Sequence, residues 1–371
     1  MKRIIILGCT GSIGTTTLQA IRNKDLPLQV VGLSSNTRRQ ELVALAREFK
    51  AEALCLTGAR ISEYTGMRTY TGIDGLQEML QSLEADIVLN AIAGFEGLRA
   101  SLFVLRSGCD LALANKESVV CAGSYLFEVA KEHNASIIPV DSEHSALAEL
   151  LKGRTSGSVD SLILTASGGP FRTLPKEQFG SITVEQALAH PTWNMGKKIT
   201  IDSATLANKA LEVIEASYLF NFDHNHIEVV VHPQSIVHSM IRTTDGAVYA
   251  QLGVPDMTLP IINALSDDQP SLITPLDFSH LSLDFSTPDY DRFPLLGLAF
   301  SILERKHSSA LAFNAADEIA VEAFLQGRIS YPTLIEVVKR TLDHQWNDTI
   351  ESYEQTLALD KRAREIARSY L

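Results

Sequence analysis

No apolar run in this chain approaches the roughly 18–20 residues needed to cross a bilayer, so a membrane partner is not expected. Basic residues are in deficit: 32 Lys and Arg stand against 44 Asp and Glu, a formal net charge of -12. Nucleic-acid backbones are held by basic patches that release counterions, so no nucleic acid is expected among the partners either. Cysteine is scarce, and Cys9, Cys55, Cys109 and Cys121 lack the spacing of a metal site. They read as reduced structural thiols, which points to a cytoplasmic protein. Low-complexity tracts and fixed-period repeats are missing as well. No leader peptide is expected, because Arg3 to Leu7 already reads as a strand of the fold.

What is present is an ordinary globular composition, 45% hydrophobic and 20% charged, over 371 residues. That length implies two or three domains at roughly 100–200 residues each. Short apolar runs alternate with helical patterns from the start: Ile4 to Leu7, Thr15 to Arg22, Val30 to Leu33, Gln40 to Phe49. Further strands are expected at Ala53 to Leu56, Asp86 to Asn90, Leu111 to Ala114 and Ser136 to Val140. This is the pattern of βαβ units, and residues 1–143 read as one doubly wound, Rossmann-like parallel sheet in an α/β protein.

Gly8-Cys9-Thr10-Gly11-Ser12-Ile13-Gly14 joins the first strand to the first helix. Glycines there permit a tight turn and close approach of a pyrophosphate to a helix N-terminus, which makes the segment a dinucleotide site. The second strand is followed by Ser34 to Arg39, with two arginines and no carboxylate, where NAD enzymes usually place an acid on the ribose. NADP(H) is therefore favoured. At later strand ends stand Asn90 to Gly94 and Asn115-Lys116-Glu117-Ser118, positions from which open sheets reach ligands.

Asp141-Ser142-Glu143 follows the apolar run Ile137 to Val140 and precedes a helix expected over Ser145 to Leu151. If the acids sit in extended chain, positions i and i+2 face the same way and share a target. One capping oxygen would suffice to start a helix; two adjacent carboxylates call for a cation. Oxygen ligands select Mg²⁺ or Mn²⁺, with Co²⁺ a further candidate, and Glu212 can complete the set. His224 and His226 read as loop residues.

Ser161 to Ala166 reads as a strand entering Ser167-Gly168-Gly169, a turn that lets amides approach an anion. Residues 168–198 carry Pro, Gly, Trp193 and Met195 and read as a mobile lid. Ile199 to Ile201 is expected to be a strand, Asp202 or Ser203 an N-cap, and Ala204 to Leu219 a helix with Asn208, Lys209 and Glu212 on one face. Val229 to Val231, Ile236 to Ile241 and Val248 to Leu252 read as a hairpin-like antiparallel extension of an α+β domain over 144–260. A connecting segment at 261–290 and a helical domain at 291–371 complete the expectation, with helices at Leu295 to Glu304, Ser308 to Leu325, Tyr331 to His344 and Ile350 to Tyr370.

These motifs, with His190 to Gly196, Asp202 to Thr205, Asn208 to Glu212, His232 to Ser235 and Asn314 to Glu318, resemble the 1-deoxy-D-xylulose 5-phosphate reductoisomerases of the non-mevalonate isoprenoid pathway. The resemblance runs almost end to end. It implies a metal on Asp141, Glu143 and Glu212, and Lys116 and Glu143 as catalytic residues. Lys116, Ser142 and Glu143 would meet the carbon backbone of the substrate, a small phosphorylated sugar, which Glu212 would also help to bind. Ser167, Ser203, Asn208 and Lys209 would hold its phosphate, with His190 beside it and Trp193 covering the substrate. NADPH would touch Thr10, Gly11, Ser12, Ile13, Asn36, Thr37, Arg38, Asn115, Glu117 and Gly196. The β extension would support a homodimer. Cys9, Ala210 and Asp317 depart from the family's usual Ser, Gly and Asn. The readings left beside it are an NADP-dependent semialdehyde or alcohol dehydrogenase, which has little need for three acids, and a non-catalytic NADPH sensor, which needs no metal.

Overall fold

The computed structural model describes residues 1–24, 26–58, 66–155, 157–266, 272–305 and 307–371. These residues divide into two compact units, the first formed by 1–118, 124–145 and 256–274, the second by 119–123, 146–255 and 275–371.

The first unit alternates strands and helices: β1 (Lys2–Leu7), α1 (Ser12–Lys24), β2 (Leu28–Ser35), α2 (Arg39–Glu48), β3 (Ala53–Leu56), β4 (Arg68–Thr71), α3 (Gly72–Ser82), β5 (Ile87–Asn90), α4 (Gly97–Arg106) and β6 (Asp110–Leu113). Then follow α5 (Lys116–Ala122), α6 (Ser124–Glu132), β7 (Ile137–Pro139) and α7 (Ser142–Leu151), with α5 and α7 each continuing into residues of the second unit. The seven strands, all parallel, lie in the order β4-β3-β2-β1-β5-β6-β7. Their buried aliphatic residues explain the order, because strands covered on both faces read as continuous Ile, Val and Leu runs. The order in which successive strands are added reverses between β1 and β5, and at such a switch point an open sheet leaves a crevice beyond its carboxyl ends.

The second unit contains β8 (Val159–Ala166), α8 (Val184–Leu188), α9 (Lys197–Thr205), α10 (Ala207–Phe220), β9 (Ile227–Val231), β10 (Val237–Thr243) and β11 (Val248–Leu252). Next in the chain is α11 (Thr258–Leu265), which returns to the first unit and packs on α1, with Ile261, Ile262 and Leu265 in one core with Leu18 and Ile21. The sequence reading made 261–290 a connecting segment; its first part is this helix, and residues 267–271 lie outside the described residues. The second unit ends with α12 (Pro294–Arg305), α13 (Ser309–Leu325), α14 (Tyr331–Leu342) and α15 (Tyr353–Arg368).

Its sheet has the order β11-β10-β8-β9. The β10–β11 hairpin and the β8–β10 pair are antiparallel, but β9 pairs parallel with β8, unlike the all-antiparallel extension expected. His224 and His226 sit in a single 3₁₀ turn that Asp223 caps.

Residues 168–198 are more ordered than a loop. A 3₁₀ helix at Lys176–Ser181 and α8 occupy the middle, and Thr183 closes a capping box with Gln186. Phe171 and Phe179 set their edges against Tyr331, at ring separations of 5.5 and 5.4 Å, each such pair worth about 1 kcal/mol. The Tyr331 hydroxyl donates to the Ala204 carbonyl at 2.7 Å, tying the same cluster to α9.

Candidate active site

The glycine loop is fixed by backbone contact. A Cβ on Gly8 would lie 2.6 Å from the Ala91 carbonyl oxygen, so the turns leaving β1 and β5 close on one another at the switch point. A Cβ on Gly14 would strike the Cys9 Cα at 2.5 Å, where α1 packs on its own loop. The Gly8 amide donates to Ser34, Thr10 bonds Ser35 at 2.7 Å, and the Arg38 guanidinium donates to the Thr10 carbonyl at 2.8 Å. The expected cofactor residues Thr10 to Ile13 and Asn36 to Arg38 thus form one pinned surface. No acid lies in the first turn of α1, so its N-terminus suits an anion. Cys9 is buried, and burial chiefly pushes its thiol up to about 12.

Asn115 begins α5 with its side chain. Its carboxamide donates to Gly94 at 2.9 Å and to Glu117 at 2.8 Å and accepts from the Ser118 amide at 3.0 Å. Held this way, Lys116 lies buried and reaches Asp141, its ammonium 2.5 Å from the carboxylate.

Asp141 and Glu143 do not share an extended strand end. β7 stops at Pro139, α7 starts at Ser142, and the Ser145 amide donates to the Asp141 carbonyl, so Glu143 occupies the first helical turn. The acids converge nonetheless, with carboxylate oxygens within 4.8 Å of each other, and Ser142 donates to Glu143 at 2.5 Å. Close paired oxygens on a helix N-terminus match the donor set of a small hard cation, and a ring nitrogen of His144 also lies within 4.8 Å of an Asp141 oxygen.

The second unit groups the other expected residues. Ile199 to Ile201 is helical, not a strand: Gly196 is the N-cap of α9, and Thr200 donates back to its carbonyl at 2.9 Å. Ser203 is therefore in the last turn of α9 and is no N-cap. The two helices are separated by Leu206, whose φ of 59° is left-handed. Asn208 and Lys209 open α10 and both donate to the buried Glu212 carboxylate, one turn on.

The turn of Ser167 to Gly169 lies against α9, where a Cβ on Gly169 would come within 2.6 Å of the Ser203 carbonyl oxygen. Ser167 bonds His190 Nε2 at 3.1 Å. His190 Nδ1 accepts from the amides of Thr192 and Trp193 at 3.1 and 2.9 Å, so the ring carries its proton on Nε2. Burial and then the Arg172 charge hold His190 below the usual histidine range. Arg172, which the sequence reading passed over, owes its place to Arg292. That guanidinium donates to the carbonyls of Phe171 at 2.8 Å and Arg172 at 2.9 Å, and also to that of Leu174. No local pattern marks Arg292, since its partners lie some 120 residues away.

A switch-point glycine loop with an acid-lined strand end on the same parallel sheet defines a nucleotide-dependent oxidoreductase with provision for a divalent cation. Comparison makes this specific. Models of 1-deoxy-D-xylulose 5-phosphate reductoisomerase match residues 4–123 and, as its C-terminal domains, 137–220 and 252–366. The reductoisomerase of Treponema pallidum is 47% identical over 100% of this chain and 97% of its own length, and that of Geotalea uraniireducens 41% over 100% and 99%. A crystal structure of DOX-P reductoisomerase in complex with NADPH, fosmidomycin and magnesium superposes with a TM-score of 0.91 at 37% identity, covering 100% of this chain and 98% of that one. The Zymomonas mobilis enzyme in complex with NADPH gives 0.91 at 38%, covering 99% and 98%. The chain belongs to the 1-deoxy-D-xylulose 5-phosphate reductoisomerase family.

Proposed function

We propose that this protein converts 1-deoxy-D-xylulose 5-phosphate into 2-C-methyl-D-erythritol 4-phosphate with NADPH and a divalent cation. The observation that carries the reading is the convergence of Asp141, Glu143 and Lys116 at the carboxyl edge of the sheet whose first turn is the glycine loop. A simple dehydrogenase has no need of that cluster.

In this reading Thr10 to Ile13, Asn36 to Arg38, Asn115, Glu117 and Gly196 receive NADPH. The missing acid after β2 and the guanidinium of Arg38 suit its 2′-phosphate. Asp141, Glu143 and Glu212 hold Mg²⁺ or Mn²⁺. The cation supplies Lewis-acid polarisation of substrate oxygens, and NADPH supplies the hydride. Lys116, a buried ammonium, orients and polarises those oxygens beside Ser142 and Glu143. Ser167, Ser203, Asn208 and Lys209 bind the phosphate, which orients the carbon skeleton. Neutral His190 secures the turn that presents Trp193, and residues 168–198 act as a lid that excludes water.

The finer reading of the assembly is a homodimer. β11 is a sheet edge with Val248 and Tyr249 exposed, and uncovered apolar edges favour pairing. Sedimentation equilibrium should give twice the chain mass, with Tyr249→Lys shifting it toward monomer; wild type at one chain mass throughout would contradict it. Among the described residues no helix is long and apolar enough to cross a membrane. The cytoplasm is the compartment we assign, in keeping with four free cysteines.

The direct test is NADPH oxidation by purified protein with the phosphorylated substrate, after chelation and after return of Mg²⁺ or Mn²⁺. Metal-dependent oxidation yielding methylerythritol phosphate supports the reading. NADPH binding without turnover under either metal would point to a sensor.

A further inference from the structure

Two carboxylates meet one ammonium beneath α9. Lys198 Nζ lies 2.6 Å from Asp202, on the same helix, and 2.8 Å from Asp317 on α13. Both acids are buried, 2% and 0% exposed, and each has a second oxygen that accepts no hydrogen bond. Surface decoration does not explain such a group: breaking a buried ion pair leaves an uncompensated charge, so the cluster holds α9 to α13 in one register. That register matters because Ser203 directly follows Asp202, and its carbonyl abuts Gly169 where the Ser167 turn meets the helix.

We propose that Lys198 and Asp317 are positioning residues for the phosphate site, fixing α9 through Asp202 so that Ser203 and Ser167 face the same anion. This rests on the reading of Ser203 as a phosphate ligand. With both acids ionised the cluster would carry one net negative charge, its two carboxylates buried and its ammonium partly exposed. Burial, and then the facing Asp317, push the Asp202 carboxyl well above the usual carboxylate range, against the pull of Lys198. One proton held between the acids makes the cluster neutral and gives an unpartnered oxygen a donor. From α13 Glu318 also feels Lys198, and it pairs with Arg364 of α15, which binds Asp360. On α10 Lys209 is engaged with Glu212, and on α8 Glu185 is exposed. Since the carboxyl value is raised, the tether is intact below that value and loosens as pH rises through it.

The test is a double-mutant cycle in the full enzyme with NADPH and Mg²⁺, using Lys198→Met, Ser203→Ala and the pair, with Asp317→Asn as the isosteric variant. We expect Lys198→Met to raise the substrate KM roughly tenfold or more while leaving the KM for NADPH in place, since a small misplacement at a positioning group is costly. The pair should be no worse than Ser203→Ala alone. In wild type substrate KM should rise as pH passes the raised carboxyl value, and Asp317→Asn, which removes the shared proton, should abolish that rise. Additive effects in the cycle, or equal losses toward substrate and NADPH, overturn the proposal. If Ser203→Ala has a wild-type substrate KM, the phosphate reading itself falls and takes the proposal with it; a raised value with no effect from Lys198→Met refutes positioning alone. Should Lys198→Met not fold, the pH profile decides, and an unchanged rise of substrate KM with pH in Asp317→Asn counts against the tether.

Discussion

At the scale of single residues, the side chains with the least freedom are those whose neighbours are backbone. Gly14 is one: its missing Cβ leaves room for Cys9 Cα and the Gly8 carbonyl, neither of which can swing aside. Gly14→Ala should destabilise the fold by about 1–3 kcal/mol and weaken NADPH binding at least tenfold, as overpacking forces the loop to move. Thermal melting and nucleotide titration check this, and wild-type affinity would refute it. His190 is constrained by its tautomer. Burial, and then the Arg172 charge, hold its folded value below the ordinary 6.5, and protonation at Nδ1 would end its acceptance of two amides. A depressed value means that stability present above the unfolded pKa is lost as pH falls from there toward the folded one. Nitrogen NMR of labelled histidine, assigned with His190→Asn, should show an Nε2–H ring titrating below 6.5; an Nδ1–H tautomer would contradict the geometry. The motif residues Gly8 to Gly14, Asp141 and Glu143 were legible because their chemistry is local. Arg172 and Arg292 were not, because their roles depend on carbonyls brought near by folding.

Elements tell the same story through burial. β1, β2, β3, β5 and β6 were readable as apolar runs because both faces of the sheet are covered. β4, with Arg68, Thr69, Tyr70 and Thr71, escaped notice since an edge strand keeps polar residues. The misreading of Ile199 to Ile201 has a different cause. β-branched residues favour strands only weakly, and packing of α9 against α10 and α13 overrides that preference. The lid region was read from its prolines and glycines, which say nothing about Phe171 and Phe179 anchoring on Tyr331. Arg292 completes that anchor, with its guanidinium 5.9 Å from the centre of the Phe179 ring and 5.5 Å from that of Phe293. Arg292→Met would strand three carbonyls and should lower stability by about 3 kcal/mol or more. It should also raise substrate KM above NADPH KM, and Arg292→Lys should recover part of the loss. Chemical denaturation with steady-state kinetics decides it; an unchanged midpoint would show that the clamp contributes little.

For the whole molecule, the sequence order of domains and the spatial units differ because contacts distant in sequence decide the latter. The segment 256–274 leaves the second unit to place α11 on α1, and no periodicity in the chain announces such a return. The residues proposed for the nucleotide belong to the first unit except Gly196, which with Glu212 of α10 belongs to the second. The most direct measurement is therefore on Glu212→Gln, comparing NADPH affinity, Mn²⁺ affinity and turnover in one preparation. Losing one of three carboxylates should reduce Mn²⁺ affinity and metal-dependent turnover by at least about 100-fold, while NADPH affinity stays near wild type. Equal loss of nucleotide and metal binding, or full turnover with the cation bound as before, would contradict the account.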